Sequence, residues 1–165
     1  MPEPMLGVQM FTLRKYTQTL EDLREVLPKI REIGYRSIQV SAFGDISAGD
    51  IASLCRENDL LIGGTHVPWD RFRHDLDRVI EEHQIYGCQH TAVGMIPPKQ
   101  YLSMAGLEEF LAELSPIASR LAEHNMTFSY HNHAHEFQHF EGKAWLTWLY
   151  DRADASQLKA ELEDR

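Results

Sequence analysis

Hydrophobic positions along the chain keep switching between two periods. Residues 6–11 alternate and predict a first strand, followed by a loop at Thr12, Leu13 and Arg14. From Thr19, Leu20, Leu23, Leu27, Ile30 and Ile33 recur at helical spacing. Glu21 and Asp22 suit the start of that helix, Gly34 suits its end, and Pro28 is expected to kink it or remove one of its hydrogen bonds. Residues 36–41 predict a second strand. Residues 47–58 predict a shorter helix with Ile51, Leu54 and Cys55 on one side. Residues 60–66 form a third strand, where Gly63 and Gly64 leave room for close backbone approach. A helix from about Asp70 turns Phe72, Leu76, Val79 and Ile80 inward and stops at Gly87. Residues 88–95 form a fourth strand. Leu107, Phe110, Leu111, Leu114, Ile117, Ala118 and Leu121 mark a long helix that Pro116 should bend. Residues 126–130 predict a fifth strand. Trp145, Leu146, Trp148 and Leu149 mark another helix, and residues 158–162 begin a sixth strand.

Strands alternating with helices give parallel strands joined by right-handed crossovers, so the fold class is α/β and residues 1–165 read as one domain. An open doubly wound sheet and part of a (β/α)8 barrel both fit. Gly7 is isolated and residues 9–14 hold no glycine. A phosphate-cradling loop after the first strand is therefore missing, which counts against a dinucleotide fold. Strands one, three and five have polar ends, and active sites of barrels gather at the C-terminal ends of their strands.

Charge narrows the partners. The chain has 165 residues, 25 acidic against 16 basic, and a formal net charge of −9. Nucleic-acid backbones need clustered Lys and Arg, so they are disfavoured as the main partner. No stretch reads as a signal peptide or approaches a membrane span. Cys55 and Cys88 form no disulfide framework, which points to a reducing cytoplasm.

Candidate chemistry is concentrated in one stretch. Four of the nine histidines lie between His131 and His139. Period two puts Thr127, Ser129, His131 and His133 on one face of the fifth strand, and Met126, Phe128, Tyr130 and Asn132 on the other. Glu136 follows where the strand ends. Imidazole and carboxylate both bind divalent metals and move protons near neutral pH. His135 and His139 are expected to face solvent. His74, His83, His90 and His124 read as structural, and Trp145 and Trp148 as packing.

Three segments resemble a known family. Gly7-Val8-Gln9-Met10-Phe11-Thr12-Leu13-Arg14 looks like the first strand of the sugar phosphate isomerase/epimerase family, the xylose-isomerase-like TIM barrels. Ile33-Gly34-Tyr35-Arg36-Ser37-Ile38-Gln39-Val40 looks like its second strand. Tyr130-His131-Asn132-His133 with Glu136-Phe137 looks like its fifth. The resemblance implies a partial (β/α)8 barrel of about five βα units plus a sixth strand. It covers the N-terminal two-thirds of a barrel of about 250 residues, so the domain is expected to be C-terminally incomplete.

The resemblance further implies a divalent metal (Mn2+, Mg2+, Co2+ or Zn2+) that helps move protons and a carbonyl between adjacent carbons of a small sugar or polyol, phosphorylated or not. Glu136 matches the metal ligand that ends strand five, and Glu163 takes the place of an Asp that ends strand six. Gln39 stands where many members carry Glu. Two further ligands have no counterpart, so full isomerase activity is expected to be missing from this chain alone and metal affinity to be weak. Glu136, His131 and His133 are the candidate catalytic residues. His66, Trp69, Gln9, Arg14 and Asn132 are the candidate substrate contacts: Trp69 would stack on the apolar face of a sugar, and Gln9 and Arg14 would meet its oxygens or a phosphate. Open strand edges predict a homodimer. Two alternatives stand beside this reading: a related barrel that cuts DNA with several metals, against which the acidic balance counts, and a non-catalytic module for sugar binding or assembly.

Overall fold

The structure is a computed structural model that describes residues 5–162. It divides into two compact units, Met1–His66 with Glu81–Gln89, and Val67–Ile80 with His90–Arg165.

The first unit carries β1 (Gly7–Gln9), α1 (Leu20–Ile33), β2 (Ser37–Val40), α2 (Ala48–Glu57) and β3 (Leu61–Val67), whose last residue crosses into the second unit. β1 and β3 both pair parallel to β2, with Gly7 opposite Ser37 and Ser37 opposite Leu61. The first strand is shorter than its alternation suggests, because residues 10–16 wind into a 3-10 turn. α1 opens on a capping box: the Thr19 side chain accepts from the Asp22 amide, and the Asp22 carboxylate accepts from the Thr19 amide. The helix closes on Gly34, whose φ of 114° suits glycine. It continues through Pro28, since Leu27 and Ile30 on its buried stripe outweigh one lost hydrogen bond. Leu23, Leu27 and Ile30 pack with Met10, Ile38, Ile51, Leu54 and Ile62 in this unit's core.

The second unit carries α3 (Trp69–His74), the start of α4 (Leu76–Tyr86), β4 (His90–Val93), α5 (Pro98–Tyr101), α6 (Met104–Glu123), β5 (Thr127–His131), β6 (His139–Phe140), β7 (Lys143–Ala144), α7 (Trp145–Arg152) and β8 (Lys159–Glu161). β4 and β8 flank β5, both parallel to it, with Val93 opposite Tyr130 and Glu161 opposite His131. The helix expected from Asp70 is two helices, broken at Asp75. α6 begins three residues before the apolar pattern because the Ser103 hydroxyl accepts from the Gly106 amide at 3.0 Å. It too continues through its proline, Pro116. β6 and β7 form a short antiparallel hairpin that the hydrophobic pattern does not show. Trp69, Phe72, Phe110, Phe128, Tyr130, Trp145 and Leu149 belong to this unit's core. Among the described residues, no helix is long and apolar enough to cross a membrane.

Candidate functional site at the end of β5

β5 separates packing from polar chemistry. Phe128 and Tyr130 point into the aromatic core, where Phe128 meets Phe72 at 5.1 Å and Tyr130 meets Phe110 at 5.8 Å. His131 ends the strand, and its Nδ1 lies 3.3 Å from Oε1 of Glu161 on the neighbouring β8. Residues 135–137 then turn in a 3-10 helix that carries Glu136 inward.

Glu136 has no exposed surface. Burying a carboxylate requires partners, and the chain supplies them locally. Oε1 accepts from the Tyr130 hydroxyl at 2.8 Å, and Oε2 accepts from the His133 amide at 2.7 Å. Two imidazoles close around the same group: His135 Nε2 lies 2.9 Å from Oε1 and His133 Nδ1 lies 3.9 Å from it. The two rings are stacked, 5.3 Å apart and 10° from parallel, and Tyr101 of α5 covers His135 at 4.2 Å. His131 meets His133 edge-on at 4.9 Å. Burial, reinforced by the Glu136 carboxylate, pushes the Tyr130 phenol far above its usual range, so it remains a donor. Burial also pushes Tyr150 up, to about 12, with Glu136 and Glu161 adding to the shift.

Glu136, His131 and His133 are thus gathered within one short segment of the second unit, with Asn132 buried between the two histidines. Trp69 departs from its expected role. It is 3% exposed, packs 4.9 Å from Phe110, and spends its indole N–H on Glu113 at 3.3 Å. Its ring belongs to the core rather than to an open face that a sugar could stack on. The remaining sugar-contact candidates lie in the first unit. His66 is half-buried in β3, with Nδ1 at 3.4 Å from the Ser41 hydroxyl. Gln9 ends β1. Arg14 folds back over Phe11 at 4.3 Å and donates to the Phe11 carbonyl at 2.9 Å. Glu163 lies outside the described residues.

Two residues escaped the sequence reading. His135 was expected in solvent, yet it is the imidazole nearest Glu136. Period two continued from His131 and His133 keeps His135 on their face, and that parity, with the adjacency of His135 and Glu136, was the available signal. Glu161 of β8 stands beside His131. The parallel register of β5 and β8 decides this, and the sequence does not state it.

No family model and no curated protein matches this sequence. Solved structures do match. The fold is similar to a sugar phosphate isomerase/epimerase from Parabacteroides distasonis ATCC 8503, with a TM-score of 0.82 at 16% identity over 98% of this chain and 66% of that one. It is similar to an AP endonuclease, family 2, from Brucella melitensis, with a TM-score of 0.72 at 17% identity over 96% of this chain and 68% of that one. It is also similar to a xylose isomerase-like TIM barrel protein from Mycobacterium smegmatis crystallised in complex with magnesium, with a TM-score of 0.67 at 10% identity over 96% of this chain and 63% of that one. The chain therefore has the fold of part of a TIM barrel, and spans about two-thirds of the length of these structures.

Proposed function

We propose that the end of β5 binds a small sugar or polyol, phosphorylated or not, and moves a proton on the carbon next to its carbonyl with the help of a divalent metal. One observation carries this reading: a fully buried carboxylate, Glu136, with two imidazoles on one of its oxygens at 2.9 and 3.9 Å. A carboxylate with neutral imidazoles is a donor set for divalent cations. The fit is supported by His135 Nε2, which is buried and makes no hydrogen bond among the described residues. A metal bound there supplies charge that stabilises the oxygen of an enediolate. In this reading His131, which stands beside Glu161, takes and returns a proton, and Asn132 orients a hydroxyl. The likeness to a sugar isomerase/epimerase and to a magnesium-bound barrel supports the substrate class and the metal. Two free, buried cysteines support a reducing compartment such as the cytoplasm, and the exposed Leu6, Ile33, Leu61 and Leu162 support a homodimer.

A non-catalytic sugar-binding module is the second reading, favoured by both oxygens of Glu136 already accepting from the chain itself. Incubation with Mn2+ and a panel of ketoses and aldoses in D2O separates the two. Deuterium entering the carbon next to the carbonyl, followed by NMR, is the expected result. Sugar binding without exchange favours the module, and no binding of any sugar overturns both readings.

A further inference from the structure

We propose that His133, His135 and Glu136 form a self-contained cation site that prefers first-row transition metals to magnesium. The proposal rests on the metal-assisted reading and names the ligands and the metal class of that site. Nδ1 of His133, Nε2 of His135 and a carboxylate oxygen of Glu136 all lie within 4.8 Å of one another. Two ligands held side by side on one cation by bonds of ~2.1 Å stand ~3.0–3.4 Å apart, from octahedral to tetrahedral angles. The 2.9 Å between His135 Nε2 and Glu136 Oε1 lies at the short end of that range. The contact is close, yet it lacks the alignment of an N–H···O hydrogen bond, and Nε2 finds no other partner among the described residues.

The rings are also held in place. Tyr101 covers one side of His135 and His133 stacks near it, which fixes the direction of both nitrogens. The Tyr130 hydroxyl takes one lone pair of Oε1, and a carboxylate oxygen has a second to offer. Side-chain exposures of 29% for His133 and 28% for His135 leave coordination positions open to water or substrate. All three ligands come from the segment after β5, so the site needs neither Glu163 nor a residue of another strand. Two imidazole nitrogens set the metal class. Nitrogen donors favour Zn2+, Co2+ and Cu2+, whereas Mg2+ prefers an all-oxygen shell and keeps its water.

The test is optical titration of the full chain with Co2+, with competition by Mg2+ and Zn2+. One equivalent of Co2+ should bind with a visible d–d band, be displaced by Zn2+, and resist excess Mg2+. His133→Gln and His135→Gln should each weaken Co2+ binding by at least about tenfold. If both histidine variants bind Co2+ as the wild type does while Glu136→Gln loses it, this ligand set is wrong and the metal-assisted reading survives. If Glu136→Gln also binds normally, both fail. Displacement by Mg2+ as readily as by Zn2+ overturns the metal class. Should a variant lose its fold by circular dichroism, pulsed EPR of the wild type with one equivalent of Cu2+ decides: two coupled imidazoles support the site, and fewer overturn it.

Discussion

The hydroxyl of Tyr130 donates to the Glu136 carboxylate at 2.8 Å, joining a core aromatic of β5 to a charge that has no exposed surface. A hydrogen bond to a buried charged group is worth about 1.5–3 kcal/mol. Tyr130→Phe keeps the ring packing and should lower stability by that amount in urea unfolding. Glu136→Ala leaves both the phenol and the His133 amide without their acceptor and should cost more than Tyr130→Phe. Equal stability of the two variants would show that the amide of His133 gains nothing from the carboxylate.

Trp69 provides a second check. Its ring packs against Phe72, Phe110 and Phe128, and its N–H reaches Glu113, which also accepts from the fully buried Gln100 at 2.9 Å. Trp69→Ala should cost about 3–5 kcal/mol. Trp69→Phe should cost far less, because it sacrifices mainly the bond to Glu113. If Trp69→Ala left stability intact and abolished sugar binding, the tryptophan would have the stacking role its sequence position suggested.

Gly106 is the tightest joint between α5 and α6. A Cβ at this position would collide with the carbonyl of Lys99 and the backbone of Gln100. Backbone cannot step aside as a flexible side chain can, so Gly106→Ala should destabilise by about 1–3 kcal/mol or more. Gly34→Ala makes a useful contrast. No atom crowds that site, and the cost comes only from its positive φ, so about 1 kcal/mol is expected.

Alkaline pH should weaken the fold through Cys55. Burial pushes this thiol up to about 12, partly offset by nearby Arg56, whereas an unfolded thiol titrates near 8.5. Below the unfolded value the thiol is neutral in both states and its contribution is fully present. As pH rises, the unfolded chain ionises first, so stability falls from about pH 8.5 and the contribution is lost through about 12. Cys55→Ala should make the decline shallower. At neutral pH a thiol reagent should label neither Cys55 nor Cys88 until urea opens the chain, since both are buried.

Elements with strong local signals were legible in the sequence. The stripe of α1, the extent of α2 and the alternation of β5 all follow from periodicity and caps, because there local preference and tertiary burial agree. Boundaries failed where a few residues adopt tight turns: the 3-10 turn after Gln9, the break at Asp75, and the Glu141-Gly142 hairpin with both φ values positive. At the candidate site, the chemical character of residues 131–136 was legible and its assembly was not. Period two carried past His133 keeps His135 on the face of His131 and His133, so placing it in solvent set that parity aside. Trp69 was read by its neighbour His66, although the aromatic positions Phe72, Phe110 and Phe128 enclose it.

The Glu136 carboxylate binds groups only three and six positions back along the chain. Loops of about ten residues close in roughly 10–100 ns, and short closures cost little chain entropy. The turn can therefore assemble as soon as β5 is held against β4, without waiting for β8 to arrive from beyond α7. In refolding, amide protection at His133 should rise before protection across the β5–β8 ladder. The polar end of the strand would then be an early local product of folding onto which the later strand docks.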